Sequence, residues 1–183
     1  FGADAGYAER LLLAEAYVTG EKGLETAQDA LNGAMDIIAE GISDNADIRK
    51  ELRAYLLREG QVKTLAATKE DSVYATYYDY SEPCRTIPGH RILAIDRGER
   101  EGFLKVSLEA EDKQPLDTIH SWLMTGESPA KPWLLEAGTD AYTRLVFPSL
   151  ENEIRGLLTE KAADAAIKVF GENLHQLLMQ PPV

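Results

Sequence analysis

"SLENEIRGLLTEKAADAAIKVFGENLHQLLMQ", from Ser149 to Gln180, holds no proline. Leu150, Ile154, Leu157, Leu158, Ala162, Ala165, Val169, Phe170, Leu174 and Leu177 recur at helical spacing, which predicts one helix over residues 149–180. At 1.5 Å per residue it would be on the order of 45 Å long. So long a helix is expected to be supported along its whole length by shorter ones. This sets the fold class: mainly α, a multi-helix bundle with one long C-terminal helix.

Helical periodicity continues upstream. "LETAQDALNGAMDIIAEG" places Leu24, Ala27, Leu31, Ala34 and Ile38 on one stripe, with Gly41 as its stop and Gly33 as a point of close helix approach. In "SDNADIRKELRAYLLREG", Asp44 or Asn45 is placed to cap, Ile48, Leu52, Tyr55 and Leu56 form the buried face, and Gly60 ends the helix. Arg49, Lys50, Arg53 and Arg58 fall on the opposite, solvated side. Beyond Pro115, "PLDTIHSWLMTG" and "PWLLEAGTDAYTRLVF" repeat the helical pattern through Ile119, Trp122, Ala137 and Ala141.

Between these helices the period changes. "QVKTLAAT" and "FLKVSLEAE" alternate apolar and polar residues and read as two short β-strands. Tyr74, Tyr77 and Tyr78 have the spacing of a short helix with rings packed inward, and Pro88 suits the first position of a helix that carries Ile92, Leu93 and Ile95 inward and stops at Gly98 or Gly102. Two strands around two short helices suggest a helix-turn-helix-like unit closed by a small hairpin. The expected layout is residues 1–43 as N-terminal helices packing on the long C-terminal helix, residues 44–110 as the helix-turn-helix-like unit, and residues 111–183 as a helical region.

Composition narrows the function. The chain has 183 residues, 44% hydrophobic and 27% charged, the balance of a soluble globular domain rather than a disordered segment. Its apolar runs are too short to span a bilayer, and Cys84, the single cysteine, cannot form an internal disulfide, so a cytoplasmic location is expected. The start at Phe1 and the end at "LLMQPPV" suggest a piece of a larger protein. His90, His120 and His175 are scattered, no phosphate loop or Gly-x-Ser-x-Gly is present, and neither metal, cofactor, small-molecule substrate nor catalytic residue is predicted.

One stretch stands out against the formal net charge of -12: "SEPCRTIPGHRILAIDRGEREGFLKV", Ser81 to Val106. Arg85, Arg91, Arg97, Arg100 and Lys105 outweigh Asp96, Glu99 and Glu101 there, and His90 follows the Pro88 bend. Guanidinium forks match phosphate oxygens, and a helix N-terminus adds N–H groups, so Arg85, His90, Arg91, Arg97 and Arg100 are candidate contacts to a nucleic acid backbone. The same cations can instead pair with Glu82, Asp96, Glu99 and Glu101 to stitch loops together.

The series "YYDYSEPCRTIPGHRILAIDRGEREGFLKV" resembles the motif of the Tex family of bacterial transcription accessory proteins. "EKGLETAQDALNGAMDIIAE" and "FPSLENEIRGLLTEKAADAAIKVFGENLHQLL" resemble the stretches that flank it, in the same order. The family commonly carries a lysine and an arginine where this chain has Val73 and Ala75, and a serine where it has Gly89. The resemblance implies the central helical module of a cytoplasmic nucleic-acid-binding protein, with RNA or DNA bound through the full-length protein and transcription machinery as a further partner. The module would contact phosphates weakly or support neighbouring RNA- or DNA-binding domains. The alternative is a structural scaffold or protein-interaction module without nucleic-acid contact.

Overall fold

The computed structural model describes residues 26–70, 72–124 and 131–179. Leu24 of the first stripe, the rest of residues 1–25, and Gln180 lie outside the described residues. The chain is mainly α-helical and divides into two compact units, residues 1–50 with 112–148 and residues 51–111 with 149–183.

The first unit is helical. Helix α1 (Ala27–Asp44) opens with a capping box in which Thr26 Oγ1 accepts the Asp29 amide at 3.2 Å and Asp29 Oδ2 accepts the Thr26 amide at 2.9 Å. It does not stop at Gly41: Ile42 is fully buried, so the helix continues to Asp44. Asn45 then separates α1 from α2 (Ala46–Glu59), its Oδ1 accepting the Asp47 and Ile48 amides at 3.0 Å each. The close approach expected at Gly33 is absent, for nothing among the described residues lies within 4 Å of a Cβ built there. Helices α4 (Lys113–Leu123) and α5 (Lys131–Asp140) do meet through a glycine: a Cβ on Gly138 would lie 2.9 Å from Leu123 Cδ1 and 3.1 Å from Ile119 Cγ2.

After α5 the helix widens to a π segment (Ala141–Val146) and then resumes as α6 (Phe147–Leu178), so the predicted break before Ser149 does not occur. Pro148 explains the widening. It has no N–H to give, and its ring would crowd the Arg144 carbonyl in an unbroken α-helix, which a π turn relieves. Ala141, Tyr142 and Val146 are buried there, and Arg144 ties the segment to α1 by pairing with Asp36 at 2.7 Å and with Asp140 at 2.9 Å.

The second unit is built on an antiparallel sheet of order β2-β1-β3, formed by β1 (Gln61–Ala66), β2 (Asp79–Pro83) and β3 (Leu104–Glu109). The sequence predicts β1 and β3 only. β2 hides because its residues share the tyrosine run, and those tyrosines form one 3₁₀ turn (Ala75–Tyr77) rather than an α-helix. Pro83, which has no N–H, stands at the end of this edge strand, where a missing donor costs nothing. Helix α3 (Gly89–Arg100) packs Ile92, Ile95 and Gly98 inward. Pro88 is its cap rather than its first residue; Gly98 lies within it, and Gly102, with φ +82°, follows its end. Leu52, Tyr55, Leu56, Val62, Tyr74, Leu104 and Leu108 are buried with them, as are Leu150 and Ile154 from α6.

A line of polar residues fixes the first half of α6. Register turns the backbone groups of Leu104, Val106 and Leu108 away from β1. Glu151 accepts the Leu108 amide at 2.7 Å, and Arg155 donates to the Val106 carbonyl at 3.4 Å and pairs with Glu99. One turn on, Thr159 donates to Asp96 at 2.6 Å, and Arg53 of α2 pairs with Glu153 at 2.5 Å. Ala162 closes the line, with a Cβ built on Gly89 only 3.2 Å from its own. Glycine fits where a serine would crowd the backbone of α6. Beyond this point no support comes from the described residues: residues 164–179 are all exposed, Phe170 at 68% and Leu177 at 65% among them.

A Cβ on Gly60 would sit 2.3 Å from the Leu56 carbonyl oxygen, whereas Gly33 faces open space. Gly60→Ala is therefore expected to cost about 1–3 kcal/mol in urea unfolding, while Gly33→Ala is expected to add about 0.5–1 kcal/mol.

Candidate nucleic-acid interface

The five cations singled out in the sequence sit on or beside α3 and divide by what they touch. Arg91 points back to the sheet, its Nη1 donating to Glu82 Oε2 at 2.8 Å and to the Tyr80 hydroxyl at 2.9 Å. Arg97 donates from Nε to Glu101 Oε1 at 2.8 Å, four residues on, while remaining 70% exposed. Arg85, in the turn after β2, and His90 and Arg100, near the two ends of α3, are exposed and make no hydrogen bond or ion pair among the described residues.

Both readings of the stretch thus find residues. Glu82 and Glu101 stitch loops to α3, whereas Glu99 and Asp96 turn to Arg155 and Thr159 of α6 instead of to the neighbouring arginines. The inner side of α3 consumes its own carboxylates in this way. His90, Arg97 and Arg100 remain toward water. A chain of net charge -12 therefore shows exposed basic side chains along one helix and its entry turn.

Tyr80, Glu82 and Arg91 form a coupled group. Burial, reinforced by Glu82, holds the Tyr80 hydroxyl above its ordinary pKa, so it stays protonated and donates to the Glu82 carboxylate. Burial also acts to raise Glu82, but the bonds from Tyr80 and Arg91 and the charges of Arg91 and His90 outweigh it and hold this carboxyl below its ordinary value. Cys84 is buried and its thiol is pushed up to about 11, which leaves it protonated at neutral pH and a poor nucleophile. Tyr74 is buried against Phe103, with its hydroxyl on Glu101, so this ring packs inward as its spacing predicts.

Comparison with known proteins places this geometry in a family. The profile described as "Tex central region-like" matches residues 9–170. The chain belongs to the Tex central region family. It is 40% identical over 179 residues to the uncharacterized protein YdcI of Bacillus subtilis, covering 93% of this chain and 24% of that protein. It is 32% identical over 194 residues to the transcriptional accessory protein Tex of Neisseria gonorrhoeae, covering 98% and 25%. It is 30% identical over 179 residues to the human S1 RNA-binding domain-containing protein 1, covering 88% and 18%. The chain spans about a quarter of the length of the first two relatives. No helix among the described residues of this Tex-type chain is long and apolar enough to cross a membrane.

The sequence does not point to Lys161, a cation of α6 that lines the same groove as Arg85. No local signal marks it, since it lies between Glu160 and Asp164 on a helix whose polar residues look alike.

A depressed carboxyl contributes stability that is fully present above the unfolded glutamate pKa of about 4.3 and is lost as pH falls through the folded value. Glu82→Gln is therefore expected to lower stability at pH 7 by about 0.5–1.5 kcal/mol, and to flatten the decline of stability below pH 5 in a series of urea titrations.

Proposed function

We propose that this chain is a non-catalytic, cytoplasmic nucleic-acid-contacting module of a Tex-type transcription accessory protein, touching the phosphate backbone through Arg85, His90 and Arg100. The observation that carries it is the exposure of these three residues on and beside α3 without a hydrogen bond or ion pair among the described residues, where Arg53, Arg91, Arg97, Arg144 and Arg155 are paired. Arg91 and Arg97 belong to the same surface, Arg97 with enough exposure to exchange Glu101 for a phosphate and Arg91 as a positioning residue held by Glu82. The names of the relatives, one a transcriptional accessory protein and one an S1 RNA-binding domain-containing protein, support the same direction. Contacts of this kind position a strand without reading its bases.

A second reading, a scaffold for other parts of a longer protein, is favoured by α6 alone. Ile167, Phe170, Leu174 and Leu177 are exposed at the a and d spacing of a heptad, a seam suited to another helix.

The contact reading predicts weak binding of fluorescent single-stranded RNA and DNA by fluorescence anisotropy at low salt, falling steeply as salt rises. Arg85→Glu with Arg100→Glu should abolish it while leaving the circular dichroism spectrum unchanged. No binding by the unaltered chain at 25 °C in about 20 mM salt, where phosphate contacts are strongest, leaves the scaffold reading.

A further inference from the structure

Between α2, the turn after β2 and α6 lies a groove of about 580 Å³, within the roughly 300–1,000 Å³ of small-ligand sites. Leu57, Leu157 and Leu158 give it an apolar lining. Arg85 and Lys161 reach it from two different elements, and Glu160 and Asp164 line it from α6. None of these four charged residues makes an ion pair or hydrogen bond among the described residues. By contrast Arg53, Arg58, Lys63, Arg91, Arg97 and Arg155, all in the same unit, each have a carboxylate.

Charge balance decides what such a groove can hold. Two cations and two carboxylates sum to zero over a Debye length of about 8–10 Å, so a bare polyanion gains little by entering. A nucleotide within a single strand offers a matching group to each part: a phosphate for Arg85 and Lys161, a flat base for the leucines, and an exocyclic amine for Glu160 or Asp164. Cytosine, adenine and guanine carry that amine. Uracil and thymine present a carbonyl oxygen in its place, which a carboxylate repels.

We infer that this groove seats one nucleotide of a single strand and prefers an amino-bearing base, with Lys161 as a phosphate contact and Glu160 and Asp164 as the source of the preference. The inference rests on the nucleic-acid reading above and gives it a base selectivity that backbone contacts cannot supply.

The test uses fluorescein-labelled octamers of cytidine and of uridine, with the whole chain at pH 7.5 and low salt. The unaltered chain is expected to bind the cytidine octamer about three- to tenfold tighter, within the discrimination of one base contact. Lys161→Glu should weaken both octamers several-fold. The Glu160→Ala, Asp164→Ala pair should bring the two affinities together while tightening the uridine octamer, an effect that loss of structure cannot produce. Equal binding of both octamers, or affinities untouched by Lys161→Glu, overturns the groove and leaves the backbone contacts standing. Binding of neither octamer removes the nucleic-acid reading itself, and the groove with it.

Discussion

The Glu151 carboxylate on the Leu108 amide is the contact on which the second unit depends. A three-stranded sheet leaves two edges, and an open edge presents unpaired backbone groups to any other strand. Here the β3 edge is covered by side chains of a helix: Glu151 accepts the Leu108 amide and Arg155 donates to the Val106 carbonyl, one helical turn apart. Spacing does the rest. Thr159 and Ala162 follow on the same face and meet Asp96 and Gly89 of α3, so one line of four residues locks a helix to both a strand and another helix. Leu150 and Ile154 seal the adjacent core.

That arrangement determines which charges remain available. Asp96 and Glu99 are sequence neighbours of Arg97 and Arg100, and α6 takes both. Had they stayed free, α3 would be a solvated helix of balanced charge. With them engaged, the outer face of α3 is left with His90, Arg97 and Arg100, and Arg97 pairs with Glu101. The local positive character of an acidic chain follows from the excess of bases in this stretch together with the internal packing of its acids.

Most elements were legible because hydrophobic period reports the buried face directly: Ile48, Leu52, Tyr55 and Leu56 in α2, and Leu104 and Leu108 in β3, are buried as their spacing predicts. β2 was not legible, since "DYSEP" has few apolar residues and its pairing with β1 is a long-range fact. The extent of α6 was legible, but its support was not. Leu174 and Leu177 carry the same stripe as Leu150 and Ile154, and period alone cannot say that one pair meets a core and the other is exposed. For the candidate interface, the sequence supplied the cations and both fates open to them. Only geometry assigned Arg91 to Glu82 and left Arg85 exposed, without an ion pair among the described residues.

Helix α6 is held by the Glu151–Ala162 line and by nothing among the described residues after it. Native-state amide hydrogen exchange, read residue by residue along α6, tests this most directly. Protection approaching the global unfolding limit is expected for amides from Ile154 to Ala162, with a sharp fall beyond Asp164. Uniform protection from Ile154 through Leu177 would contradict it.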